Sequence, residues 1–528
     1  MSSQLFKVST IAATVFSALS ANAAIYQVED FAPEGASVST YGVAVQASSG
    51  SEDCWNGTCG NYEIAAETKK KEEGYNYRDE APFFMPFGFD YLDDNWDGFR
   101  NYCRSFLGYS DSLCDSWADK QWDGYSYEKS GNYNNSLAFV SPSQSEIYPE
   151  NTVVNALNSA GNAIGNRRDN TNRNVGFVEG TYSATELLPS GAEASHVWAE
   201  LDVSGKSFIA GSVSRKHETS ETEVTSKATV WVDGVAKEIP WQQGAEARDS
   251  VRPQGSARDL MSDGTNVYAV GYNTDSDERF FASVFKSTDS GATWTNTFVT
   301  GYPYETDKYL NTVFSSVNDN SVAIGTAKLR EAQNGAYANG LFYVTSLTSP
   351  VYRSFSGPIF FTGANGKAGA INNFNEVVGQ IDFEDHREVN GKPRAHRGFI
   401  APLNASNTDD SRMNRLQSRA WYLDDLTNDG VASSTNNQYR IIDATDINDA
   451  GVISGTAYKC AGGYETTNID SRCAGTESVV AVKLTPITGT ASSDIQPRGI
   501  TQETVERKGG TIGLLLLSVL GFIGFRRK

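Results

Sequence analysis

The sequence predicts an all-β fold, a β-propeller of about seven four-stranded blades with a disulfide-stapled insertion near its N-terminus. Three observations carry that expectation: a β-rich composition, a strand–turn–strand motif that recurs along the chain, and one turn signature of eight residues. Among 528 residues there are 48 Gly, 25 Tyr, 26 Phe and 9 Trp, with abundant Thr, Ser, Asn and Val. Aromatic and β-branched side chains suit a pleated, half-buried surface. A chain of this length exceeds the size at which one core keeps growing, so repeated units are expected.

The motif is clearest at Ala444–Gly455, A-T-D-I-N-D-A-G-V-I-S-G. Aligned on the closing glycine, its copies end at Gly165, Gly211, Gly271, Gly325, Gly379 and Gly455, at intervals of 46 to 76 residues. Such a period belongs to architectures in which each repeat is one small supersecondary unit. Within a copy, Leu157, Ile371 or Ile447 is expected to point inward, and the following Asn or Asp to accept turn amides as an Asx-turn. Gly161, Gly205, Gly264 and Gly451 supply the positive φ of the turn, with Ser321 and Asn375 in that place in two copies. The closing glycine is expected where strands converge. Each copy is followed by a further apolar segment at Val175, Ala228, Ala282, Leu341, Arg397 or Val479, and one more strand would make four per unit. The segments Y-G-V-A-V-Q and S-L-A-F-V, parted by the cysteine-rich stretch, read as a degenerate seventh copy.

Ser287–Trp294, S-T-D-S-G-A-T-W, fits the Asp-box pattern S-x-D-x-G-x-T-W. Ser287 and Asp289 are expected to bond turn amides, Gly291 to take positive φ, and Trp294 to pack between blades. The box speaks for a local fold and is nearly silent about activity.

The N-terminus reads as an export signal. Residues 1–23 carry a basic Lys7, an apolar run from Ile11 to Leu19, and small residues before a cleavage between Ala23 and Ala24. An exported chain favours disulfides. The six cysteines form three sequence-local pairs: Cys54 with Cys59, Cys103 with Cys114, and Cys460 with Cys473. Local pairing is the simplest of the connectivities that six thiols allow. Residues 48–135 read as the insertion on a repeat domain of 24–484, with short helices between Asn101 and Trp122. The cluster Asp90, Asp93, Asp94 and Asp97 raises Ca2+ as a weak candidate; without a bidentate Glu at EF-hand distance, a solvated loop is the simpler reading.

Residues 485–508 read as a polar linker. Gly509 and Gly510, the apolar run Ile512 to Phe525 and the basic Arg526, Arg527 and Lys528 close the chain. Fourteen or so apolar residues are short for a spanning helix, which needs about 20. This order resembles the GlyGly-type C-terminal sorting signal, which implies membrane association before a rhomboid-type protease cuts near Gly509 and Gly510. Ile371–Gly379 and Ile447–Gly455 resemble the extracellular HAF repeats, I-N-x-x-G-x-V-V-G. The mature chain also resembles a secreted Gram-negative family of unknown function, which implies an exported, cell-surface location and no particular activity.

A net charge of −20, with no large Lys/Arg cluster, excludes nucleic acid as a natural partner. No nucleophile elbow, H-E-x-x-H helix or phosphate loop is present, and His196, His217, His386 and His396 are scattered. The reading is therefore a binding or structural envelope protein with no catalytic residues and no cofactor, its partner a surface protein or glycan. The alternative is a propeller glycoside hydrolase or lyase acting on surface polysaccharide, recognisable by three arginines or paired carboxylates at a central channel mouth.

Overall fold

The computed structural model describes residues 24–32, 39–48, 52–69, 96–107, 110–132, 136–142, 151–169, 172–183, 186–217, 224–246, 252–386 and 394–500. The signal segment, Asp90, Asp93, Asp94 and the C-terminal sorting segment with Gly509 and Gly510 lie outside them. Of the predicted cleavage pair, Ala24 is described and buried, and Ala23 is not.

The described strands make seven successive antiparallel units. The first holds Thr40–Val45, Ile64–Lys69 and Ser136–Ser141, and the second Val153–Leu157, Ala163–Asp169 and Asn172–Val178. The third is Ala194–Val203, Lys206–Lys216, Val224–Val232 and Val235–Glu238. The fourth is Ser256–Ser262, Val267–Thr274, Phe280–Ser287 and Thr295–Phe298; between its strands and those of the fifth the ladder is a single parallel pair, Phe280–Asn311, with a further bridge from Thr300 to Val351. The fifth is Tyr309–Val317, Ala323–Leu329, Asn339–Val344 and Arg353–Ser354; the sixth is Gly366–Ile371, Glu376–Asp382, His396–Pro402 and Trp421–Tyr422. In the seventh, Tyr439–Ile447, Ile453–Ala461 and Thr476–Pro486 are completed by the N-terminal strand Tyr26–Phe31.

Apolar side chains are buried between units, each face packing on the next. Val154 and Phe177 of the second meet Ala65 and Val140 of the first, and Trp231 and Ile209 of the third meet Ile164 and Val178 of the second. Further clusters join third to fourth, fourth to fifth, fifth to sixth and sixth to seventh. Ala450, Val452 and Ala481 of the seventh then pack on Val45, Ile64 and Phe139 of the first, so the succession returns to its start.

The repeated motif is the hairpin between the first and second strand of each unit. Its closing glycine has a specific neighbour. Opposite Gly165, Gly211, Gly271, Gly325, Gly379 and Gly455 the first strand shifts register by a bulge, and a backbone carbonyl presses where a Cβ would stand. At Gly211 that carbonyl belongs to His196, 1.8 Å from an added Cβ. Bulges bend a strand and raise its twist. Ala66 holds the equivalent place in the first unit, across the Gly42/Ala44 shift. Asn375 and Ser321 take φ of 62°, as their places in the turn demand.

The turn asparagine has two roles. The side-chain oxygen of Asn372 accepts from Phe374 N and Glu376 N at 3.1 and 3.0 Å, closing the Asx-turn. Its amide nitrogen donates 3.2 Å to the carbonyl of Asn448, the same position one unit on. Asn318 donates likewise to the Asn372 carbonyl, and Asn448 to that of Gln46. Aspartate lacks that donor.

Two boundaries differ from the sequence expectation. Ile64–Lys69 is the middle strand of the first unit, so 48–135 is not one insertion; Trp55, ahead of it, is buried against Tyr26 of the seventh unit. The helical part comprises Trp96–Tyr102, a wide turn to Leu107, and Asp111–Lys129, longer than the short helices expected. Asp97 lies in the first turn of the former. Residues 485–500 are no linker either. Ile495 is buried in the core between sixth and seventh units, and Arg498 donates to the carbonyls of Asp424 and Thr467.

Disulfides join Cys54 to Cys59, Cys103 to Cys114 and Cys460 to Cys473. No helix among the described residues is long and apolar enough to cross a membrane.

Candidate functional site

The C-terminal ends of the first strands, with the turns that follow them, converge on one cavity of about 600 Å3 to which all seven units contribute. Val45, Leu157, Leu201, Val317, Ile371 and Ile447 give it apolar wall, and the buried asparagines Asn318, Asn372 and Asn448 hold its rim. The Asn residues are in place because the turn and the ladder between units both require them. Six carboxylates line the cavity: Glu200, Asp202, Asp259, Asp319, Asp446 and Asp449. Among the described residues no Lys, Arg or His lines it.

Asp259 and Asp446 occupy the same position in their units, immediately after the bulge. Asp259 Oδ2 accepts from Val317 N at 2.8 Å and Ser316 Oγ at 2.9 Å, and Oδ1 from its own neighbour Leu260 N at 2.8 Å. Asp446 repeats the arrangement, with Oδ2 accepting from Val45 N and Oδ1 from Ile447 N, both at 2.9 Å. Each carboxylate thus caps an edge amide of the next unit's first strand. Removal from water pushes Asp446 up to about 7 and Asp259 up to about 6, against the pull of those amide donors. Desolvation also raises Asp319, with Asp449 adding repulsion. Between those two, Asn373 donates to Asp319 Oδ2 at 2.9 Å and Asp449 Oδ2 at 3.0 Å, holding the acidic rim together. Among the described residues no group of three or more His, Cys, Asp or Glu is placed to hold a metal ion.

Arginines do converge elsewhere. Arg397 Nε lies 3.1 Å from Asp424 Oδ2, Arg498 donates to the Asp424 carbonyl, and Arg440 stacks on Tyr464 while donating to the carbonyls of Thr466 and Asn468. Burial drives Arg498 down to about 10. These guanidiniums are consumed by main-chain carbonyls inside the protein and offer no carboxylate-binding triad to the cavity. His196 and His217 are buried, His396 pairs with Asp382 at 3.1 Å and His386 with Glu384 at 3.0 Å; the Asn390-Gly391 turn between the latter two lies outside the described residues.

The Asp-box joins the third and fourth strands of the fourth unit. Asp289 Oδ1 accepts from Thr293 N at 2.9 Å and from Ser287 Oγ at 2.8 Å, and Ser287 Oγ accepts from Gly291 N at 2.8 Å. The Thr293 hydroxyl and amide hold Asp289 down at about 2. Gly291 has φ of 88°, and Trp294 packs on the core shared by third and fourth units. None of its residues lines the cavity.

Sequence reasoning missed Asp259 and Asp446. A signal existed: A-R-D-L and A-T-D-I precede the turn in two copies, with Asp at one register.

Residues 248–528 match a family model described as "Protein of unknown function (DUF3466)". The chain belongs to this family. The match takes in the fourth to seventh units of the DUF3466 chain and the segment that follows them. No curated protein matches it. Among solved structures, the Hadza microbial sialidase Hz136 is similar at 8% identity and TM-score 0.29, covering 67% of this chain and 73% of that one. A Trypanosoma rangeli sialidase in complex with the inhibitor DANA is similar at 11% identity and TM-score 0.29, covering 61% and 52%. A member of the GH130 mannoside phosphorylases that targets β-1,2 mannosidic linkages in Candida mannan gives 8% identity and TM-score 0.24, covering 54% and 82%. These values carry no activity over to the DUF3466 chain.

Proposed function

We propose that this protein is an exported, cell-surface β-propeller of seven blades that binds a neutral or cationic surface partner, protein or glycan, in its central cavity. The observation that carries the reading is the cavity itself: walls from all seven units and, among the described residues, six carboxylates and no basic side chain. Acceptor-rich walls suit hydroxyl and ammonium groups and repel anions. The seven interfaces, the last returning to the first, support a closed disc in which no sheet face is left bare. Export rests on the N-terminal segment of residues 1–23 and is consistent with the three disulfides. Surface delivery rests on the HAF-type motif and on Gly509 and Gly510 ahead of the apolar run and basic tail. No catalysis is assigned, because both oxygens of Asp259 and of Asp446 are occupied by strand amides.

Binding is tested by screening the purified mature chain against neutral, amino and acidic oligosaccharides and cationic peptides, with a D319N/D449N variant as control. Retention of neutral or cationic probes that weakens in the variant supports the reading; retention of acidic probes alone, undiminished in the variant, refutes it.

One observation favours the second reading, a polysaccharide hydrolase: two carboxylates facing one cavity and held near neutrality, at about 6 and about 7. Release of reducing ends from an envelope polysaccharide, abolished by D259N and by D446N in variants that remain folded, would establish it. Intact substrate after prolonged incubation would remove it.

A further inference from the structure

A second cavity, of about 490 Å3, lies at the opposite end of the same strands. Tyr309–Val317 gives Val317 to the acidic cavity and Asn311 to this one, and Gly366–Ile371 divides likewise between Ile371 and Lys367. On Ser256–Ser262 the change of character falls between neighbours, with Arg258 in this cavity and Asp259 in the other. Among the described residues its lining contains Arg258, Lys328 and Lys367 and not one Asp or Glu. In a chain of net charge −20, such a local excess of positive charge runs against composition.

The three cations come from three units and are held differently. Arg258 lies 3.7 Å over the Trp198 ring, which fixes the guanidinium plane. Lys328 is buried and anchored through the Tyr337 carbonyl. Lys367 stands exposed at the rim, with Asp443 3.5 Å away as its counter-charge, a weak pair in solvent. Between them are carboxamides with unused capacity. Asn311 is only 9% exposed, yet its side chain makes no hydrogen bond to the described residues, nor does that of Gln380. The polar atoms of both side chains reach solvent at the cavity, so a ligand entering it can bond them.

We propose that this cavity is a separate binding site for an acidic oligosaccharide, whose carboxylates meet Arg258, Lys328 and Lys367 and whose hydroxyls meet Asn311 and Gln380. The volume accommodates on the order of two sugar rings. Planar guanidinium and flanking carboxamides recognise carboxylate and hydroxyl together, which a bare phosphate would not exploit. The site is independent of the acidic cavity and of the reading built on it.

The test is isothermal titration of the full mature chain with galacturonate trisaccharide, beside maltotriose and inorganic phosphate, at low and moderate salt. The acidic trisaccharide is expected to bind, to weaken as salt rises, and to bind about tenfold more weakly to K367E and to N311D, each of which adds a negative charge. D319N/D449N is expected to leave it unchanged, which separates this site from the other cavity. Lys367 is exposed, so K367E leaves the fold intact. No heat with the trisaccharide, equal binding of maltotriose, phosphate binding as tightly, or unchanged affinity in both K367E and N311D would overturn the assignment.

Discussion

Two glycines six residues apart in the third unit isolate what the repeat demands of its backbone. Gly205 turns the hairpin with φ of 81°, and a Cβ there would meet nothing within 4 Å. Alanine at that place meets only the strain of the left-handed conformation, about 1–2 kcal/mol. At Gly211 the backbone is ordinary strand, but an added Cβ would stand 1.8 Å from the His196 carbonyl oxygen and 3.0 Å from the Trp231 ring. The obstacle on one side is backbone held by the bulge between Val197 and Ala199, and on the other a fully buried indole. Relief requires the strand pair to open by more than 1 Å in a packed interior, at the upper end of overpacking costs, about 3 kcal/mol or more. Urea unfolding followed by Trp fluorescence should therefore rank G211A well below G205A. Equal midpoints, or G205A the weaker, would refute the view that the closing glycine answers the bulge.

Arg412 is 3% exposed and bonds Glu376 Oε2 at 2.8 Å and the Asp449 carbonyl at 2.6 Å, so R412M should cost about 3–5 kcal/mol by stranding Glu376. The double variant R412M/E376Q should recover much of that loss in thermal unfolding. N372D removes the donor to Asn448 and sets a carboxylate beside Glu376, and is expected to lose at least about 1–3 kcal/mol by denaturant titration. With Asp446 and Asp259 raised, the folded chain keeps protons that the unfolded chain has released. Their contribution to stability is therefore greatest near pH 4 and declines as pH rises through 6 and 7. Melting profiles of the wild type should fall more steeply over that interval than those of D446N. Replacing Cys460 and Cys473 by Ser opens a 13-residue span and should lower stability by about 3 kcal/mol, read from the melting temperature.

The repeat was legible because its turn needs particular residues. Asn318, Asn372 and Asn448 must both cap their own turns and donate to the next unit, and no other side chain of that length offers both. The first unit was harder to read. Ile64–Lys69 has Ala66 where other copies have Gly, and it sits beside Cys59 in a stretch whose cysteines suggest a separate module. Residues 485–500 look like a linker because Thr, Ser, Gln and Pro predominate, yet Ile495 is buried in the core, Arg498 donates to the carbonyls of Asp424 and Thr467, and the main chain bonds the carbonyls of Ile25 and Trp55. The cavities were illegible for another reason. Charge at Arg258 and Asp259 is local in sequence, whereas its meaning depends on which end of the strand each residue faces.

The pairing of Tyr26–Phe31 with Thr476–Pro486 sets the order in which the molecule can be finished. Tyr26 meets Pro486, so the outermost ladder of the seventh unit waits for nearly the whole chain to be made. Until then the earliest strand is an unpaired edge, able to recruit a strand from a neighbouring chain. Contacts between such distant residues also carry the largest loop-closure cost, which makes this clasp a late and slow event. A chain released before residue 486 could stack its earlier units but would lack its last seam. Completion thus serves as a length check, and truncated products should remain open to proteolysis at the very end that was made first.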